Sequence, residues 1–298
     1  MHNPISWHIE PTSRCTLECP GCDRTWYNKT FKKQIIEDID VDALVNFFKQ
    51  NNFENSKIRL CGNNGDPIYH PQFIDLLTKL KLQKHKISLH TNGSAKTKAF
   101  WQAVCNQLDE HDSIIFAIDG LEDTNHLYRK NSNWKQIMDA INISTKSNVQ
   151  TEWQFIVFKH NQGQIQQAKD LSQKLGIDQF NMMKSHRWID DSSHDYMPDD
   201  QFVDEKYDQQ KQTVNNNIDM KMTPKCLTNK DIYIDSYGNI YPCCWSGTHR
   251  FKFKNSFGKN PLNIQQGDYQ LDDDKHQFVT DSKQWNTASL VCKMHCAK

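Results

Sequence analysis

The sequence predicts an α/β protein built on a parallel sheet, followed by a small cysteine-rich unit. Three observations carry this. From residue 5 to about 183, short β-rich runs alternate with longer amphipathic runs. Residues 185 to 221 then break the pattern with an acidic, amide-rich stretch nearly free of aliphatic periodicity. Beyond the break, alternating apolar and polar residues surround a glycine turn and are flanked by cysteines.

The predicted strands are "ISWHIE" (5 to 10), "KIRLC" (57 to 61), "KISLH" (86 to 90), "SIIFAID" (113 to 119), "VQTEWQFIVF" (149 to 158) and "DQFNMM" (178 to 183). Between them, "VDALVNFFKQ" (41 to 50), "PQFIDLLTKL" (71 to 80), "WKQIMDAINIS" (134 to 144) and "QIQQAKDLSQKLG" (164 to 176) repeat apolar residues at three- and four-residue steps, as amphipathic helices do. Six strand-then-helix alternations imply parallel pairing through right-handed crossovers. That is too few for a closed eight-fold barrel. Residues 185 to 221 read as a linker, partly helical around 200 to 214, which divides the chain into 1–184, 185–221 and 222–298. In the last part "DIYIDSYGNIYPCC" reads as a hairpin turning near Gly238.

Composition narrows the classes of function. Lys+Arg and Asp+Glu both number 36, so no net field recruits nucleic acid or a membrane surface, and the basic run "HRFKFKNSFGK" (249 to 259) reads as a solvated loop. The start has no apolar signal-like run, and nowhere do about 18 apolar residues follow one another, so a cytoplasmic protein is expected. In a reducing compartment ten cysteines are better explained by metal than by disulfides, and eight of them lie in two groups near the chain ends. The outliers, Cys61 and Cys105, read as core residues.

The first group is "RCTLECPGCDRT", with Cys15, Cys19 and Cys22. Pro20 and Gly21 disfavour a helix here, so the cysteines share a loop directly after the first strand. A zinc site would want a fourth Cys or His to close a tetrahedron, and none is in the loop. A four-iron cluster has four corners, and three cysteines leave one iron open to a small molecule.

This CxxxCxxC after a first strand resembles the radical SAM superfamily. The resemblance implies a partial (β/α)6 TIM-like barrel and a 4Fe–4S cluster on Cys15, Cys19 and Cys22. It further implies that the open iron binds the amine and carboxylate of S-adenosylmethionine, whose reductive cleavage gives methionine and a 5′-deoxyadenosyl radical. "CGNNGDP" (61 to 67) takes the place of the family's Gly-Gly-Glu-Pro-like turn, so Gly62, Asn63, Asn64, Gly65 and Asp66 become candidate S-adenosylmethionine contacts, Asp66 through its carboxylate. The segment departs from the usual pattern at Asn63, Asn64 and Asp66, which leaves the individual contacts open. "LHTNG" (89 to 93) and "AIDG" (117 to 120) resemble family segments bordering cofactor and substrate. They make Asn92 and Asp119 candidates against plain turn capping, and Arg129 in "HLYRK" matches an arginine common after strand four.

Cys226 and Cys243 flank the hairpin as C-x11-G-x4-C, and "CKMHC" supplies Cys292 and Cys296. This is similar to the SPASM/twitch extension of radical SAM enzymes, with an auxiliary 4Fe–4S cluster on those four cysteines. The cysteine series is too short for two clusters, and a zinc knuckle is the alternative. Cys244 is a spare that reads as packing. The resemblance implies a radical SAM oxidoreductase or maturase of unassigned catalytic residues, served by a reductant such as flavodoxin or ferredoxin. A peptide or protein substrate is favoured over a small alcohol or sugar because relatives of this layout are mostly of the first kind. Against it, the chain opens on its first strand, leaving no room for an N-terminal peptide-recognition domain. A non-catalytic iron–sulfur carrier would gain from a fourth ligand and has no use for the "CGNNGDP" loop.

Overall fold

In the computed structural model, residues 6–185, 188, 194–205, 231–241, 243–247 and 262–266 are described. Cys226, Cys292 and Cys296, and the part of the expected linker helix beyond residue 205, lie outside them.

Among the described residues nine strands form one sheet: β1 (Ser6–Ile9), β2 (Lys57–Leu60), β3 (Lys86–Thr91), β4 (Ser113–Ala117), β5 (Gln150–Ile156), β6 (Gln179–Met183), β7 (Asp231–Ile234), β8 (Asn239–Tyr241) and β9 (Leu262–Asn263). Their order is β6-β5-β4-β3-β2-β1-β7-β8-β9. The first six pair in parallel in sequence order, which is the arrangement the strand–helix alternation demands and that of a partial TIM-like barrel. The C-terminal hairpin β7–β8 is antiparallel around Gly238 (φ +79°), and β7 pairs in parallel with β1, so the hairpin extends the barrel sheet.

Helices cover one face. They are α1 (Asp23–Phe31), α2 (Val41–Gln50), α3 (Phe73–Leu82), α4 (Lys98–Gln107), α5 (Asn125–Tyr128), α6 (Trp134–Ser144) and α7 (Ile165–Lys174). Capping sets several starts: Asp40 accepts from the Ala43 amide at 2.9 Å, Thr97 from Phe100 at 3.2 Å and Asn133 from Gln136 at 3.0 Å. Each such cap is worth about 1 kcal/mol. The buried stripe of α2, Val41, Leu44, Phe47 and Phe48, meets Trp7 of β1, whose ring stands edge-on to Phe47 and Phe48 at 5.6 and 5.2 Å. Trp7 is completely buried, and truncating such a residue costs about 3–5 kcal/mol.

Three helices have no counterpart in the periodicity, of which α5 is a single turn of four residues. α1 buries Asp23, Arg24 and Thr25, polar residues that make no apolar stripe. α4 buries only Trp101, Val104 and Cys105, a stripe too short to stand out. Cys105 is a core residue as expected. Of the described residues in 185–205, Val203 bridges to Ser185 and the Tyr196 carbonyl accepts a 2.9 Å hydrogen bond from the Lys159 amide, so both lie against the barrel. At the start of the expected linker helix the chain forms a short 3₁₀ turn, Asp200–Phe202. Among the described residues no helix is long and apolar enough to cross a membrane.

Candidate active site

The cysteine loop leaves the C-terminal end of β1 and is tied down on both flanks. The Ser13 amide donates to the Glu37 carbonyl at 2.9 Å, and Arg14 grips Asp38 through two Nε contacts of 2.9 and 3.0 Å. The Cys22 amide donates to the Cys19 carbonyl at 3.1 Å, and Cys22 serves as the N-cap of α1. From the first turn of α1, Arg24 reaches back to the Leu17 carbonyl.

Each cysteine meets a different loop at the C-terminal ends of the strands. Beside Cys15 is the end of β3, where Asn92 Nδ2 points at Cys15 Sγ from 3.7 Å and the Leu17 amide from 3.4 Å. Cys19 faces Arg129, which follows β4. Cys22 donates to the Asn63 carbonyl, in the loop after β2, at 3.8 Å. Burial pushes the Cys15 thiol up to about 12, with the Asp66 carboxylate adding to it. Burial raises Cys19 to about 11, opposed chiefly by the Arg129 charge. Both are thiols at neutral pH until something replaces the proton.

Two glycines of the loop 61–67 are obligatory, Gly65 because the loop runs hard against residues 12–13 and Gly62 because the loop folds back on itself. A Cβ on Gly65 would lie 1.9 Å from the Thr12 carbonyl oxygen, and one on Gly62 would lie 2.4 Å from the Gly65 carbonyl oxygen. The same loop is held by Glu10, fully buried at the end of β1. Its carboxylate accepts from the Asn64 amide at 2.6 Å, the Gly65 amide at 3.0 Å and Asn64 Nδ2 at 3.3 Å, and from the Tyr233 hydroxyl of β7. Burial raises the Glu10 carboxyl, and these donors oppose the rise.

The other candidates divide by how their polar atoms are used. Asp66 does not present a free carboxylate. It accepts from Thr91 Oγ1 at 2.9 and 3.1 Å, from the Asn92 amide and Asn92 Nδ2 at 2.6 Å each, and from the Ile68 amide at 3.3 Å. Burial nonetheless lifts its pKa to about 6. Asp119 is committed likewise, to Arg129 Nε at 2.7 Å and the Ile156 amide at 2.9 Å. The carboxylate that Arg129 pairs with is therefore the protein's own. Asn64 Oδ1 and Ser94 Oγ, by contrast, are buried at this end of the barrel without a hydrogen-bond partner. Among the described residues no three Cys, His, Asp or Glu side chains converge on a single ion position. A cluster takes one thiolate per iron, so its ligands need not converge.

Asn63 also looks the other way: its Nδ2 donates to the Cys244 carbonyl at 2.8 Å. Cys244 thus stands over the loop, and its thiol adds to the burial that pushes Cys61 up to about 12. Cys61 is half-buried, not a core residue. Glu10, Tyr233 and Arg24 carry no motif. A charged residue at the C-terminal end of a barrel strand was the one available signal for Glu10.

Comparison with known proteins agrees with this arrangement. Residues 9–170 match the radical SAM superfamily. A tungsten-containing aldehyde ferredoxin oxidoreductase cofactor-modifying protein from Pyrococcus furiosus is 28% identical over 92 residues, 30% of this chain and 24% of that protein. Streptococcus suis SuiB bound to its precursor peptide SuiA superposes with a TM-score of 0.63 at 14% identity, covering 98% of this chain and 70% of SuiB. In its S-adenosylmethionine complex the coverage of SuiB is 64%. The anSMEcpe structure with S-adenosylmethionine and the Cp18Cys peptide gives 0.59 at 15% identity, covering 98% of this chain and 88% of that one. At these identities the solved structures speak for the fold. The family match spans more than half of the chain, with the three-cysteine loop and the glycine-dependent loop after β2 inside it, and the chain belongs to the radical SAM superfamily.

Proposed function

We propose that this protein is a radical SAM enzyme of the maturase type, acting on a peptide or protein. Cys15, Cys19 and Cys22 would hold its 4Fe–4S cluster. The observation that carries this is the placement of the three thiols, each against a different strand-end loop at the barrel face where such folds keep their active sites. When bound, the cluster and S-adenosylmethionine supply one-electron cleavage of the sulfonium to methionine and a 5′-deoxyadenosyl radical that takes a hydrogen atom from the substrate.

The chain's own residues bind and orient. The backbone of Gly62, Asn63, Asn64 and Gly65 forms the cofactor cradle, kept in shape by Glu10. Asn64 Oδ1 and Ser94 Oγ support a polar ligand here, because an unsatisfied buried polar atom costs about 1–3 kcal/mol and a bound molecule removes that cost. Asp66 acts by setting Asn92 against Cys15, and Asp119 by setting Arg129 against Cys19. Cys226, Cys243, Cys292 and Cys296 would hold an auxiliary 4Fe–4S cluster that assists oxidation, with flavodoxin or ferredoxin as reductant. The peptide reading is supported by the SuiB and anSMEcpe folds, both seen with peptides.

The test is anaerobic reconstitution, then assay of 5′-deoxyadenosine under dithionite. Replacing Cys15, Cys19 and Cys22 by alanine should abolish it, and persisting cleavage refutes the assignment. A Cys292→Ala, Cys296→Ala double variant should still cleave S-adenosylmethionine while losing about four irons per chain. Unchanged iron would refute the auxiliary site.

A further inference from the structure

Parallel sheets ordinarily bury both faces under apolar side chains. Here the face opposite the helices is polar. In register across four strands, His8 lies opposite Arg59, Arg59 opposite Ser88 and Ser88 opposite Ser113. Their strand neighbours, such as Trp7, Ile58, Leu60, Ile87 and Leu89, belong to the core, so alternation turns the polar set to the other side. The set is linked: Ser113 Oγ donates to Ser88 Oγ at 3.2 Å, and Ser88 Oγ lies 3.4 Å from His90 Nε2. Nothing about folding calls for such a row inside a barrel.

Arg59 is its cation. It is exposed, and it takes part in none of the ion pairs among the described residues. The imidazoles beside it stay neutral. Burial, helped by the Arg59 charge, holds His8 at about 3 and His90 at about 4, and His8 Nε2 is engaged with the Cys61 carbonyl at 3.0 Å. Glu10, at the end of β1, is committed to the cofactor loop. Arg59 sits two residues before Cys61, about 7 Å along the strand from the loop 61–67, and its side chain is long enough to serve a molecule bound between the two.

We propose that Arg59, with Ser88 and His90 beside it, anchors a carboxylate of the substrate inside the barrel. The guanidinium offers the fork that a carboxylate accepts in bidentate fashion, and the neutral neighbours can donate without adding charge. This deepens the reading above by giving its substrate an acidic group, and it rests on that reading for the location of the reacting end.

The experiment needs neither cluster nor S-adenosylmethionine, so it succeeds or fails independently of the radical SAM assignment. The full-length apo-protein is titrated with N-acetylglycine, standing for a chain-terminal carboxylate, with N-acetylglutamate α-amide, standing for an acidic side chain, and with N-acetylglutamine amide as the neutral control. Binding is read from the histidine imidazole resonances. At least one acid should bind and move the His8 and His90 signals while the neutral control does not, and whichever binds identifies the source of the carboxylate. Arg59→Gln should weaken that binding ten- to a hundredfold, and Arg59→Lys should recover part of it. Equal binding of the neutral control, no binding of either acid, or unchanged affinity in Arg59→Gln overturns the proposal.

Discussion

The hydroxyl of Tyr233 donates to the carboxylate of Glu10, 223 residues earlier in the chain, and that same carboxylate holds the backbone of the loop after β2. The C-terminal hairpin thereby helps to shape the candidate cofactor cradle. Tyr233→Phe removes one donor from a buried carboxylate, a loss of about 1–3 kcal/mol. It should speed amide exchange at Asn64 and Gly65 in the apo-protein and weaken S-adenosylmethionine binding in the reconstituted protein. Exchange as slow as in the wild type would show that the cradle does not depend on the hairpin.

Gly65→Ala is a sharper test of the same loop. The added methyl would meet the Thr12 carbonyl at 1.9 Å, so the loop must withdraw from the cysteine loop. Overpacking of this kind costs about 1–3 kcal/mol or more. The variant should remain folded by circular dichroism, melt at a lower temperature and lose most of its S-adenosylmethionine affinity. Wild-type affinity would remove the loop from the cofactor site.

Loading the three-cysteine site should release protons. Burial holds the Cys15 and Cys19 thiols at about 12 and 11, whereas metal ligation requires thiolates. Cluster incorporation should therefore fall as pH is lowered from 8.5 to 6.5, and reconstitution in weak buffer should acidify the solution. Incorporation independent of pH would contradict the protonated resting state.

His85 predicts an acid limit to stability. Its Nδ1 accepts from the Ser56 amide at 3.1 Å, Nε2 meets Gln83 Oε1 at 3.1 Å, and burial lowers its pKa to about 4. The folded pKa is below the unfolded value of 6.5, so the unfolded chain binds the extra proton first. His85 contributes stability above about pH 6.5, and that contribution is lost as pH falls towards 4. In chemical denaturation of the apo-protein, His85→Gln should show a shallower decline over that window. An identical slope would mean that His85 does not titrate on unfolding.

What could be read from the residues alone follows from periodicity and spacing. Strand–helix alternation determined the parallel order of the first six strands, and a glycine at position 238 determined the hairpin turn, because both signals are local. The CxxxCxxC loop was legible for the same reason: three thiols within eight residues need no fold to bring them together. The partners of those thiols were not. Asn92, Arg129 and Asn63 reach them from three different strand ends, and only the parallel pairing of β2, β3 and β4 makes those ends neighbours. In sequence Asp66 read as a carboxylate for the cofactor and Asp119 as a cofactor or substrate contact against plain turn capping, yet burial obliges each to accept bonds from the protein itself, from Asn92 and Arg129. Glu10 and Tyr233 had no motif because each is defined by the other, and only the parallel pairing of β7 with β1 brings a hydroxyl to a carboxylate that could not otherwise be buried there.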